Sequence, residues 1–235
     1  MQIAAAVTES KGAPFAIKQL ELGELRADEV RVRVAACGIC HTDLIIRDQW
    51  YPVPLPAVLG HEGAGVVEAV GAAVEKVRPG DHVALSYGSC GACVKCHAGE
   101  PWVCHDFFAR NFGAARPDGS TALRDGARAI HSHFFGQSSF ATHAVAPERS
   151  VVKLDPDVPL EIVAPFGCGI QTGAGAVLRA FRARGRFEHR DLWDGDRWAI
   201  GTHGCAHRGL HEDRGHRCAA GATRARHRAP GVCAA

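Results

Sequence analysis

Through the N-terminal half of the chain, apolar positions come in short runs separated by turn residues. Val30-Arg31-Val32-Arg33-Val34 alternates strictly, which predicts a half-buried strand. Ile3 to Val7 is a short apolar run, and Gly63 to Val70 is a Val-rich segment that follows Gly60-His61-Glu62. Pro79-Gly80-Asp81 is a turn signal, and His82-Val83-Ala84-Leu85 reads as the strand it launches. Phe140 to Val145 and Ser150 to Leu154 predict two more strands, whereas residues 88–130, rich in Gly, Cys, Asp and Arg, read as loop. Short strands with turns between them predict a small barrel or sandwich. Beyond them, Pro159-Leu160-Glu161 opens a helix-compatible stretch, and the Ala-rich residues 171–184 have the spacing of another helix. No repeat recurs at a period of about 20–50 residues.

Composition adds bounds. A 46% hydrophobic share over 235 residues is enough to bury a core, in one large domain or two small ones. No apolar run approaches the roughly 18 residues of a transmembrane helix. The start, MQIAAAVTES, has neither a basic region nor a continuous apolar run, so no secretory signal is expected and the expectation is a cytoplasmic protein. Ten cysteines in such a chain predict metal ligands or thiols rather than disulfides. The net charge of +2 is uneven. Residues 185–235 hold nine of the 27 Lys and Arg but six of the 25 Asp and Glu, so this segment carries +3 and the remainder −1. A charge of +3 over such a length is feeble for nucleic-acid binding, and no aromatic–basic module accompanies it. Neither a nucleic-acid partner nor a membrane is therefore expected.

Cys90, Cys93, Cys96 and Cys104 form C-x2-C-x2-C-x7-C. Four thiolates this close in one loop suit a tetrahedral zinc ion with every position filled, which makes such a site structural. The rival is an iron–sulfur cluster, but Pro usually stands beside the last cysteine of that pattern, and here His105 follows. A second set is dispersed: Cys40 in CGICHTD, His61 in GHEG and Cys168 in PFGCG. Two thiolates and one imidazole would leave the fourth position of a tetrahedral ion open. Taken singly, His61 and Cys168 could equally be core residues.

The segments GHEGAGVVEAVG (Gly60 to Gly71), PGDHV (Pro79 to Val83), the four-cysteine loop and GCGIQTGAGAV (Gly167 to Val177) resemble the zinc-containing medium-chain alcohol dehydrogenases. DQWYPVPLPAVLGHEGAG, FFARNFG and HFFGQSSFATHAV resemble the aryl (benzyl) alcohol dehydrogenase branch, and the likeness covers residues 1–184. The resemblance implies a mostly β, GroES-like barrel-type catalytic domain over 1–160, followed over 161–184 by the incomplete start of an α/β Rossmann domain. It implies that Cys40, His61 and Cys168 hold a catalytic zinc and the cysteine quartet a structural one, with NAD as hydride acceptor. Thr42 matches the hydroxyl that takes the alcohol proton, Asp43 the carboxylate that orients His61, and Glu62 the acid that approaches the metal during ligand exchange. His41 and Thr172 match cofactor-contacting positions, although a solvated loop histidine accounts for His41 as well. Ile45 stands where some members place a proton-relay histidine. Trp50 and Tyr51 could line an aromatic pocket, with core packing the plainer expectation. The implied substrate is a small-molecule alcohol or aldehyde, and the implied full-length form is a homo-oligomer.

A nicotinamide domain would open with a strand, G-x-G-x-x-G and a helix. No such motif follows Cys168; residues 185–235 instead lack a period and hold only five of Val, Ile, Leu, Met and Phe. A reading-frame change near Arg184 explains this. Read one base later, Trp193 and Trp198, each followed by a codon that begins with G, both become glycine, and Gly195-Asp196 permits a third between them. The expectation is thus a truncated chain, inactive by itself, with a disordered or irregular tail over 185–235. The alternative is a non-enzymatic zinc-binding remnant or interaction module.

Overall fold

A computed structural model describes residues 1–180 and 232–234. Its strands are β1 (Gln2–Thr8), β2 (Ala16–Leu22), β3 (Glu29–Gly38), β4 (Ala57–Val58), β5 (Gly63–Val70), β6 (His82–Leu85), β7 (Leu123–Asp125), β8 (Arg128–Ile130), β9 (His143–Pro147), β10 (Val151–Lys153) and β11 (Val232–Ala234). They form two sheets. One runs β4-β1-β2-β7-β8, and the other runs β10-β6-β5-β3, with β9 and β11 both along the remaining edge of β3.

β3 shows why the alternating segment forms a strand. Val30, Val32, Val34 and Ala36 are buried while Arg33 is exposed, so one face of the pleat enters the core. The register against β5 shifts between Arg31 and Val32 and again between Val34 and Ala36, so the ladder is locally interrupted at two places. Val32, Val83, Leu85 and Val151 pack in one cluster; Val7, Leu20, Val58 and Ile130 pack in another. The mostly β, GroES-like architecture is what the sequence predicts.

Several elements differ from expectation. Residues 88–130 are not all loop: they contain α2 (Val94–His97), α3 (Phe107–Phe112) and the β7–β8 hairpin, after α1 (His41–Arg47) earlier in the chain. Elements of three to six residues are too short for a period to show. The strand expected over Phe140 to Val145 begins only at His143, because the Ser139 and Phe140 N–H groups donate to Gly60 and Leu59 carbonyls instead. The helix opened by Pro159 is the short α4 (Leu160–Val163), which tightens into a 3-10 turn at Ala164–Gly167 around Pro165.

The chain contacts divide at Cys168, with Met1–Cys168 and Val232–Ala235 in one unit and α5 (Gly169–Gly175) opening the other. The last residues of the expected 171–184 helix, and the reading of 185–235 as irregular, lie outside the described residues, except that Val232–Ala234 is a strand paired with Ala36–Gly38. No described helix is long and apolar enough to cross a membrane.

Candidate metal centres

β3 ends at Gly38, and the chain turns into α1 with Cys40 in extended conformation at the helix N-terminus. Asp43, fully buried, closes that turn: its Oδ2 accepts the Cys40 N–H at 3.1 Å. Its Oδ1 reaches across to the segment between β4 and β5, where it accepts the Gly60 N–H at 3.1 Å and lies 3.0 Å from His61 Nδ1. Gly60 has φ +87°, and a Cβ there would meet the Phe140 backbone nitrogen at 2.5 Å, so glycine is required just before His61. Cys168 follows the 3-10 turn at the end of the first unit.

These elements bring Cys40, His61, Glu62 and Cys168 together, with ligand atoms all within 4.8 Å of one another. His61 Nε2 is buried and has no hydrogen-bond partner among the described residues. An unsatisfied polar atom in the interior is costly, and it points to a ligand. The charges agree. Cys168, and then His61 and Thr42, draw the Cys40 thiol far below its usual range against the effect of burial. Burial opposes charge on His61, yet Asp43 and Cys40 hold the imidazole far above its usual range. The donor set therefore favours an added positive charge, which a divalent cation supplies as well as a proton does.

Cys90, Cys93, Cys96 and Cys104 likewise place their sulfurs within 4.8 Å of one another. The loop tightens at Gly91, whose φ is +73°. Backbone N–H groups of Ala92 and Cys93 point at Cys90 Sγ at 3.4 and 3.3 Å, and the Cys90 N–H points at Cys104 Sγ at 3.2 Å. N–H groups of His105 and Cys96 bring the Cys93 thiol down to about 6, whereas burial and the three neighbouring thiols push Cys96 up to about 11. Four thiols this close resist ionising together, and a cation removes that conflict. Cys37, Cys40, Cys90, Cys93, Cys96, Cys104 and Cys168 are all outside disulfides.

The other expected residues fall at varied distances from this chemistry. Thr42 Oγ1 lies 3.5 Å from Cys40 Sγ, and Glu62 is 5% exposed within the cluster. His41, the first residue of α1, is exposed; Thr172 is exposed on α5 in the second unit; and Ile45 is half-buried on α1. Core packing fails for Trp50 and Tyr51, which are 83% and 41% exposed. They sit in the turn after α1, outside either apolar sheet face. The Tyr51 ring nevertheless lies 4.9 Å from Phe112, which lies 5.1 Å from Phe135, which stacks on His61 at 4.6 Å. An aromatic series thus runs from the surface to the candidate ligand. Phe135 and the fully buried Gln137, which bonds to the His61 carbonyl, lie in the HFFGQSSFATHAV stretch, but neither residue type there marks a role at the site.

Two antiparallel sheets carrying a Cys2His group and a four-cysteine loop, each able to hold a metal ion, match the catalytic-domain pattern of the medium-chain alcohol dehydrogenases. The alcohol dehydrogenase GroES-like domain family matches residues 26–156, and the chain belongs to the zinc-type alcohol dehydrogenase family. Among its relatives, the geraniol dehydrogenase of Castellaniella defragrans is 51% identical over 177 residues, 75% of this chain and 47% of that protein. The alcohol dehydrogenase zinc-binding domain protein of Burkholderia ambifaria superposes with TM-score 0.77 at 56% identity, over 79% of this chain and 50% of that one. The benzyl alcohol dehydrogenase of Acinetobacter calcoaceticus superposes with TM-score 0.73 at 54% identity, over 77% and 48%. The chain spans about half the length of the relatives it matches.

Proposed function

We propose that Cys40, His61 and Cys168 hold a catalytic zinc ion and that Cys90, Cys93, Cys96 and Cys104 hold a structural one. The chain then carries the metal- and alcohol-binding part of a dehydrogenase that oxidises primary, aromatic alcohols to aldehydes with NAD. The observation that carries this reading is the buried, unpartnered His61 Nε2 in a group with two thiols. When bound, zinc supplies Lewis-acid polarisation of the alcohol oxygen. NAD supplies the hydride acceptor.

The chain's own residues do the rest. Asp43 accepts the Nδ1–H of His61, which fixes the tautomer that leaves the Nε2 lone pair for the metal. The Thr42 hydroxyl, beside Cys40, takes the alcohol proton. Ile45 has no exchangeable proton, so release to solvent proceeds from Thr42 without it. Glu62 stands in the group as a carboxylate that steps in when ligands exchange. The rings of Phe135, Phe112 and Tyr51, inclined to one another, offer apolar surface for an aromatic substrate. His41 and Thr172 serve the cofactor, and the thiol-rich donor sets suit a reducing cytoplasm. A full-length form would be a homo-oligomer.

No G-x-G-x-x-G turn follows Cys168, so the chain alone binds two zinc ions without turnover. The same absence supports a second reading, a zinc-binding remnant or interaction module with no enzymatic role. Zinc content by mass spectrometry and NADH formation from benzyl alcohol test both. Two zinc ions per chain and no NADH above the protein-free control are expected. Fewer than two ions defeats the metal assignment. Robust NAD-dependent oxidation by the chain alone defeats both its inactivity and the remnant reading.

A further inference from the structure

We propose that Gln137 is a positioning residue for the metal centre: its amide holds the backbone on both sides of Glu62, so that His61 presents its ligand atom at a fixed place. The inference rests on the zinc assignment above. Gln137 is 1% exposed. Its Oε1 accepts the Gly63 N–H at 3.0 Å and the Ser139 hydroxyl at 2.6 Å. Its Nε2 donates to the His61 carbonyl at 3.0 Å and to the Ser86 carbonyl at 3.5 Å. One amide thus uses its donor and acceptor sides together, and it ties the residues around Glu62 to the end of β6.

The surrounding segment serves the same grip. His133, Phe135 and Ser138 all adopt positive φ, at 64°, 50° and 55°, although none is glycine. Such conformations persist only where neighbours over-determine them. Here the Ser138 hydroxyl donates to the Val58 carbonyl at 2.6 Å, and the Ser139 and Phe140 N–H groups donate to Gly60 and Leu59 at 2.9 and 3.0 Å. Asp43 holds Gly60 and His61 from the α1 side. The segment before β5 is therefore clamped from two directions. Gln137 is the only side chain among these that bonds to backbone on both sides of Glu62.

The test uses the full zinc-loaded chain. Gln137→Met keeps the length and removes all four hydrogen bonds; Gln137→Glu keeps the acceptor for Gly63 and Ser139. Zinc release to a chromophoric chelator is measured, together with the visible spectrum after cobalt(II) substitution. Cys40→Ser, which retains only the four-cysteine set intact, identifies which ion is which. Gln137→Met is expected to release the Cys40 ion about 10–100-fold more readily and to shift its cobalt bands, with the four-cysteine ion unchanged. Gln137→Glu is expected to fall between the parent and Gln137→Met. Equal retention of both ions with unshifted bands overturns the proposal, and so does equal weakening of both ions, which marks a general loosening of the fold. Should Gln137→Met fail to fold, selective weakening in Gln137→Glu supports the proposal and its absence overturns it. An unsubstituted chain that takes no ion at Cys40 overturns the zinc assignment and this inference with it, whereas equal retention overturns the inference alone.

Discussion

Arg116→Met isolates one buried charge pair. Glu29, 3% exposed at the start of β3, accepts two bonds from the Arg116 guanidinium at 2.6 and 2.7 Å. His133 Nε2 lies 3.4 Å away, and the Arg26 N–H donates at 2.9 Å. Burial pushes the Glu29 carboxyl up, but His133, Arg116 and the Arg26 N–H outweigh it and bring the pKa from 4.5 to about 2. That displacement corresponds to something on the order of 3 kcal/mol, and breaking a buried pair from one side costs about 3–5 kcal/mol. Arg116→Met is therefore expected to lose about 3 kcal/mol in urea unfolding of the zinc-loaded chain at pH 7, with an unchanged m-value. Glu29→Gln/Arg116→Met together should lose less than Arg116→Met alone, because no unpaired charge stays behind. The pH dependence has a definite sign. The folded pKa lies below the unfolded one, so the pair's contribution is complete above 4.5 and disappears as pH falls through about 2. The gap between parent and Arg116→Met should be larger at pH 7 than at pH 3, because acid neutralises the Glu29 carboxylate that the guanidinium pairs with. A loss under about 1 kcal/mol at pH 7, or a double variant as unstable as the sum of the singles, would refute the reasoning.

Two further outcomes follow from the metal centre. Asp43→Asn removes the carboxylate that holds Cys40, Gly60 and His61, and should weaken the Cys40 zinc about 10–100-fold in chelator competition while sparing the four-cysteine zinc. Gly60→Ala meets both a φ of +87° and the Phe140 backbone, and should lower unfolding stability by about 2–4 kcal/mol; a loss under about 0.5 kcal/mol would contradict the required glycine.

The sheets were legible where the pattern was long enough. β3 alternates over four buried positions, and that repetition survives any uncertainty at its ends. β7 and β8, at three residues each, carry no period, so the sequence of 88–130 does not display their hairpin or its short helices. The strand expected from Phe140 starts late for a different reason: the Phe140 N–H is claimed by the Leu59 carbonyl, a partner some eighty residues away. Trp50 and Tyr51 misled because an aromatic side chain says nothing about whether its turn faces the core.

The donor sets divide in the same way. The quartet of Cys90, Cys93, Cys96 and Cys104 lies within one loop, so its spacing alone determines that four sulfurs can meet around one ion. Cys40, His61 and Cys168 belong to a turn after β3, the approach to β5 and the end of a 3-10 turn. Their residue types and the family resemblance are written in the chain, but their meeting depends on strand register and on Asp43 bridging two segments. The same holds more strongly for Phe135, whose positive φ a non-glycine residue adopts only under tertiary constraint, and for Gln137, which stands between Phe135 and the likewise positive-φ Ser138. Local spacing can specify a site that closes within one loop. A site assembled from distant segments is specified only when the fold's hydrogen bonds fix where those segments stand.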